Sequence, residues 1–188
     1  MKKLSFLLTL SLLFLLVGCF GQMIELEKDK SAGLNGGFEV FRNGLPVNWI
    51  MYGPKTVKNA DFKIAPDKKI YKEGKQSLRF DVAMCSSTGG VSPGFTNEFF
   101  ESGRFEGEGR YKLSFWVKNE GSTFKISAGG VSAKKGNMTT LINEKEQISD
   151  WKFFEYQIEI PKDNWLRMEL KILQPGIFWI DDIQIEKE

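Results

Sequence analysis

GIFWIDDIQI, Gly176 to Ile185, is the stretch on which the fold turns. Four bulky apolar residues lead into two adjacent carboxylates, Asp181 and Asp182. Neighbours in a strand point to opposite faces. One aspartate therefore sides with Trp179, the other with Ile180. A buried carboxylate is expensive unless something pairs with it. Either one aspartate lies in the core with a partner, or the strand ends there.

The rest of the chain says what kind of sheet this strand joins. Period-two runs recur at SLRFDV (77–82), RYKLSFWVK (110–118), TFKISAGG (123–130), WKFFEYQIEI (151–160), WLRMELKIL (165–173) and IFWIDDIQI (177–185). Turn residues separate them: Gly74-Lys75, Gly107-Glu108-Gly109, Asn119-Glu120-Gly121, Pro161 to Asn164 and Pro175-Gly176. The only helical hint is one turn at Asn143 to Ile148. Short alternating strands with such turns predict an all-β fold, an antiparallel jelly-roll β-sandwich. In RYKLSFWVK, Tyr111, Leu113, Phe115 and Val117 form the core face. Lys112, Ser114, Trp116 and Lys118 face out. Leu78, Phe80 and Val82 point in, with Arg79 and Asp81 out. Leu166, Met168, Leu170 and Ile172 point in, with Trp165, Arg167, Glu169 and Lys171 out. Two outward faces thus carry a tryptophan.

The first residues fix the compartment. Lys2 and Lys3 precede an apolar run, Leu4 to Val17, with the length and flanks of a secretory signal. It ends Leu16-Val17-Gly18-Cys19, which resembles the bacterial lipobox. That resemblance implies a signal peptide over 1–18, cleavage before Cys19, and lipid on Cys19. An ordinary signal peptide that happens to contain a cysteine is the plainer reading. Phe20 follows the cysteine where an aspartate would retain the protein at the inner membrane. By that sorting rule the expected location is the bacterial cell envelope, anchored by lipid at the outer membrane. Residues 19–33 read as a lipidated N-terminus and tether, and 34–188 as one domain. Without Lys2 and Lys3 the chain has 24 basic and 24 acidic side chains. No basic stripe invites nucleic acid. Cys85 would have no cysteine partner once Cys19 carries lipid.

Five motifs stand in order: LNGGFEVFRNGLPVNW (34–49), EGKQSLRF (73–80), GEGRYKLSFWVK (107–118), DWKFFEYQIEIP (150–161) and GIFWIDDIQIEKE (176–188). Together they resemble the carbohydrate-binding modules of the cellulose- and xylan-binding type, families 4, 9 and 22. These are galactose-binding-like jelly rolls that accompany bacterial glycanases. The resemblance implies a glycan ligand and a structural calcium ion where the first and last strands meet. Its ligands would be the Glu39 and Asp181 carboxylates, with Glu73 and Lys75 contributing from the loop between. Calcium suits such oxygen donors. The other reading is that Asp181 accepts backbone N–H bonds or pairs with a lysine.

A glycan needs an aromatic ring for its apolar face and planar polar groups for its hydroxyls. The outward sets supply both: Trp116 and Trp165 as platforms, with Arg79, Asp81, Arg167 and Glu169 around them. Packing under a loop is the alternative for Trp116, and covering the sandwich end for Trp165. Trp49, Trp151 and Trp179 read as core. Phe95, Phe99, Phe100 and Phe105 fall in the stretch 86–109, a binding loop or a strand pair.

The chain has no histidine. That removes the Ser–His–Asp triad and the Cys–His pair, and leaves Cys85 inert. Two-carboxylate glycoside hydrolysis would still need an acid pair such as Asp81 and Glu169 facing across one cleft. The expectation is a non-catalytic, lipid-anchored glycan-binding protein, touching membrane through its lipid alone. The alternative is a structural or adhesive surface lipoprotein that contacts other cell-surface proteins and has no sugar site.

Overall fold

The computed structural model describes residues 26–85, 92–98, 107–132 and 136–188. Cys19 and the expected signal peptide lie outside them, as do Phe99, Phe100 and Phe105. The strands are β1 (Phe41–Arg42), β2 (Leu45–Pro46), β3 (Ile50–Tyr52), β4 (Asp61–Asp67), β5 (Ser77–Met84) and β6 (Gly94–Glu98). They continue with β7 (Gly109–Glu120), β8 (Phe124–Val131), β9 (Gly136–Glu144), β10 (Ile148–Ile160), β11 (Trp165–Ile172) and β12 (Gly176–Lys187). Two five-stranded sheets face each other, in the orders β10-β7-β12-β5-β4 and β3-β6-β11-β8-β9. All the ladders within them are antiparallel. The fold is the expected antiparallel β-sandwich.

The inward rows are those the alternation predicts. Tyr111, Leu113, Phe115, Val117, Leu78, Phe80, Leu166, Met168, Leu170 and Ile172 are all fully buried. Rings interlock across the two sheets, as Phe124 of β8 meets Phe178 of β12 at 4.7 Å between centroids. At one end Trp49 packs on Phe38 and Phe95, at 5.3 and 4.8 Å. Its indole N–H donates to the Leu34 and Asn35 carbonyls. Strand β9 (GNMTTLINE) was missed because it is an edge strand with little apolar alternation. In β4 the Pro66 ring blurs the strand signal, and an edge strand tolerates it. The helical turn expected at 143–148 is instead a tight turn. There the amides of Lys145 and Glu146 donate to the Glu144 carboxylate.

The opening motif is explained atom by atom. Asn35, at φ 51°, donates from its side chain to the carbonyls of Val40 and Val47 and accepts from the Val40 amide. Gly36 crosses β12 so closely that a Cβ would stand 1.8 Å from the Ile183 carbonyl oxygen. Ile183 N–H returns a bond to the Gly36 carbonyl at 3.0 Å. Residues 27–33, read above as tether, lie against the first hairpin. Asn48 bonds the backbone of Glu27, Asp29 and Gly33, and Arg42 pairs with Asp29 at 2.6 Å.

Candidate functional site

The aspartate pair marks a β-bulge. The register of β12 against β7 shifts between Asp181 and Gln184, and Asp182 takes a left-handed φ of 49°. An extra residue flips the side-chain parity. Phe178 and Ile180 point inward before it, Ile183 and Ile185 after it. Asp181 therefore stays with Trp179, on the outward face. It is nonetheless fully buried, because the chain from Asp67 to Gln76 folds back over that face.

Asp181 and Glu39 are both held by backbone amides. Asp181 accepts from the Lys72 and Glu73 N–H groups at 2.7 and 3.0 Å, and from Asp182 N–H at 2.8 Å. Desolvation dominates its titration and raises its pKa to about 6 against the pull of these three bonds; the Asp182 charge adds to the rise. Glu39 accepts from the Lys75 and Gln76 amides at 2.8 and 3.3 Å. The expected ligand set is gathered in part. Glu39 and Asp181 both reach the 72–76 segment, but the groups it turns toward them in these bonds are N–H donors. Among the described residues no three Asp, Glu, Cys or His side chains form a metal-binding group.

The expected glycan-binding residues separate onto two opposite faces. Trp116, Arg79 and Asp81 lie outside the first sheet; Trp165, Arg167 and Glu169 lie outside the second. They cannot form one site. The first set is engaged internally. Lys72 sits over the Trp116 ring at 4.1 Å, and Phe153 packs beside it at 5.1 Å. Arg79 pairs with Asp67 at 3.4 Å and Asp81 at 2.9 Å, and lies over Trp179. Trp179 is buried on this outward face, not between the sheets, and donates to Asp67 at 3.0 Å. Burial alone would raise the Asp67 carboxyl. The Trp179 N–H, the Lys69 and Ile70 amides and Arg79 more than offset it and hold it below its ordinary value. Trp151, expected in the core, is only half-buried.

The second sheet's outward face carries the other set. Cross-strand register aligns Tyr52, Gly94, Lys171, Lys125 and Asn143 in one row, and Ile50, Thr96, Glu169, Ser127 and Thr140 in the next. Arg167 and Gly129 begin a third, Trp165 and Val131 a fourth. Thr96 and Ser127 are 3% and 5% exposed although they point away from the core. They form a recessed floor, the Thr96 hydroxyl donating to the Met168 carbonyl at 3.3 Å, flanked by half-buried Tyr52, Lys125, Arg167, Glu169 and Lys171. Glu169 holds Lys171 at 3.3 Å. Sequence reasoning missed Tyr52, Thr96, Ser127 and Lys125. Tyr52 and Thr96 sit on short strands without a periodic signal, and only register joins the others to β11.

Two shallow recesses lie elsewhere. One of 540 Å³ is lined by Asp150, Trp151 and Phe153 among others, and one of 670 Å³ by Arg110, Glu159 and Pro161 among others. Both are open hollows beside strand β10.

No protein-family model and no curated protein sequence matches the chain. Solved structures do match its fold. The CBM22-1 xylan-binding domain from Paenibacillus barcinonensis superposes with a TM-score of 0.55 at 17% identity, covering 81% of this chain and 91% of that one. The C-terminal family 22 carbohydrate-binding module of a Clostridium thermocellum protein gives 0.54 at 17%, covering 86% and 96%. An enzymatically active domain of a bacteriophage CBA120 tailspike gives 0.54 at 16%, covering 82% of this chain but 21% of that one. At these identities the likeness is one of fold. The fold is that of the family 22 modules, a carbohydrate-binding-module jelly roll.

Proposed function

We propose that this is a lipid-anchored cell-envelope protein that binds polysaccharide without catalysis, on the outward face of the β3-β6-β11-β8-β9 sheet. The observation that carries the reading is the recessed Thr96–Ser127 floor, with Tyr52 and Trp165 as aromatic platforms and Arg167 and Glu169 as polar partners. Sugar rings stack on such aromatics, and their hydroxyls bond such planar groups. The similar solved modules are described as xylan-binding, which supports a glycan ligand. A non-catalytic role is supported by the acids: Asp81 and Glu169 face out from opposite sheets and cannot flank one bond. Anchoring rests on the Cys19 motif alone.

The test is a retention screen of the whole protein, in detergent, against plant, algal and host polysaccharides. Tyr52→Ala and Trp165→Ala should each weaken retention, and Trp116→Ala should leave it unchanged. Loss in Trp116→Ala alone would move the site to the other sheet. No retention on any glycan would favour the structural or adhesive reading, which the internal engagement of Trp116, Arg79 and Asp81 supports.

Calcium at Glu39, Asp181 and the carbonyls of Glu73 and Lys75 is a separate proposal. It requires the 72–76 segment to present carbonyls where N–H groups now bind both carboxylates. A rise in melting temperature on adding calcium, reversed by chelator and absent in Asp181→Asn, would establish it.

A further inference from the structure

Like charges directly opposite each other across a ladder are destabilising. The second sheet's outward face carries such a pair. Lys125 of β8 stands in register with Lys171 of β11. Both residues are half-buried. Glu169 holds Lys171 at 3.3 Å. Lys125 makes no ion pair among the described residues. Its other cross-strand neighbour is neutral Asn143.

The outward face of the first sheet is built the other way. There Lys112 pairs with Glu186 at 2.7 Å, Lys118 with Glu120 at 3.0 Å, and Arg79 with Asp67 and Asp81. Lys125 and Lys171 thus have one ion-pair carboxylate between them among the described residues, Glu169, while Lys112, Lys118 and Arg79 opposite each have their own. Beside Lys171, the row passes through buried Gly94 to Tyr52. A Cβ on Gly94 would meet the Leu170 carbonyl oxygen at 2.0 Å, so no side chain can fill that position.

We infer that the glycan taken by this face is acidic, a uronic-acid-bearing polysaccharide whose carboxylate sits between Lys125 and Lys171. A carboxylate there would relieve the lysine repulsion and accept charge-assisted hydrogen bonds from both ammonium groups. Tyr52, in the same row, would stack a neighbouring sugar ring. The inference rests on the function proposed above and adds the ligand's charge to it.

The experiment compares two polymers that differ only in charge: glucuronoxylan, and the same glucuronoxylan with its carboxyl groups reduced to alcohols. Calorimetric titration of the whole protein in detergent should show the acidic form bound about tenfold more tightly at low salt (~1.4 kcal/mol). High salt should erase the difference, because ion pairs at a surface are screened. Lys125→Met with Lys171→Met should lose the preference while still binding the reduced polymer, which also shows that the variant is folded. Lys112→Ala, on the opposite sheet, should keep the preference. Equal binding of both polymers by the native protein would overturn the inference and leave glycan binding standing. So would a preference that survives in the double variant. Binding of neither polymer, nor of any other glycan, would overturn both.

Discussion

Protonation of Asp181 has a calculable consequence for stability. The carboxyl is fully buried and its pKa is raised from 3.8 to about 6, chiefly by desolvation. The folded chain therefore holds a proton over a range where the unfolded chain has released it. About two pKa units, at ~1.4 kcal/mol each, make a linked stability of about 3 kcal/mol. The sign follows from which state binds the proton. The contribution is fully present below pH 3.8, declines as pH rises, and is gone above about pH 6. Other acids run the opposite way: Asp67 and Asp29 titrate below their ordinary values and stabilise the fold above them. The comparison must therefore be with Asp181→Asn, which leaves those groups alone. The asparagine oxygen can still accept from Lys72 and Glu73. Its amide would face the Asp182 N–H, a cost that does not change with pH. Urea denaturation of both proteins between about pH 4 and 7 should show the native chain losing about 2 kcal/mol of this relative to the variant as pH rises. A difference that stays flat would refute the desolvation argument. A difference that grows with pH would mean that the carboxylate, not the acid, is the favoured form, as a bound cation would make it.

The other predictions follow from single contacts. Gly36→Ala should cost about 3 kcal/mol or more, because its Cβ would meet the Ile183 carbonyl backbone to backbone; a melting temperature within a degree of the native value would show that the crossing relaxes. Trp116→Ala should destabilise by roughly 1–3 kcal/mol, less than a core aromatic, because the ring is half-buried between Lys72 and Phe153. Cys85 is half-buried and desolvation pushes its thiol up. Alkylation near pH 8 should be slower than for an unfolded control, and a faster reaction would mean an activated thiol.

The physical origin of each feature decides how much of it could be read from residues. Alternation exposes a half-buried strand directly, so β5, β7, β8, β10, β11 and β12 were legible along with their core faces. Edge strands β4 and β9 and the short β3 and β6 were not, since little of their pattern is dictated by a single buried face. The bulge had a local signal. Inward apolar residues fall at 178 and 180, then at 183 and 185, a change of parity across the aspartates. Its consequence did not: the burial of Asp181 depends on a loop more than a hundred residues earlier in the chain.

The candidate site divides along the same line. Sequence alone established that Trp116, Trp165, Arg79, Asp81, Arg167 and Glu169 point away from the core, because side-chain direction in a strand is a local property. Only the tertiary structure decided that they lie on two sheets back to back. It also decided which internal contacts the first set makes and that the second set flanks the Thr96–Ser127 floor. Strand order and loop placement arise from contacts between distant residues, and period-two alternation carries no record of which strand lies beside which.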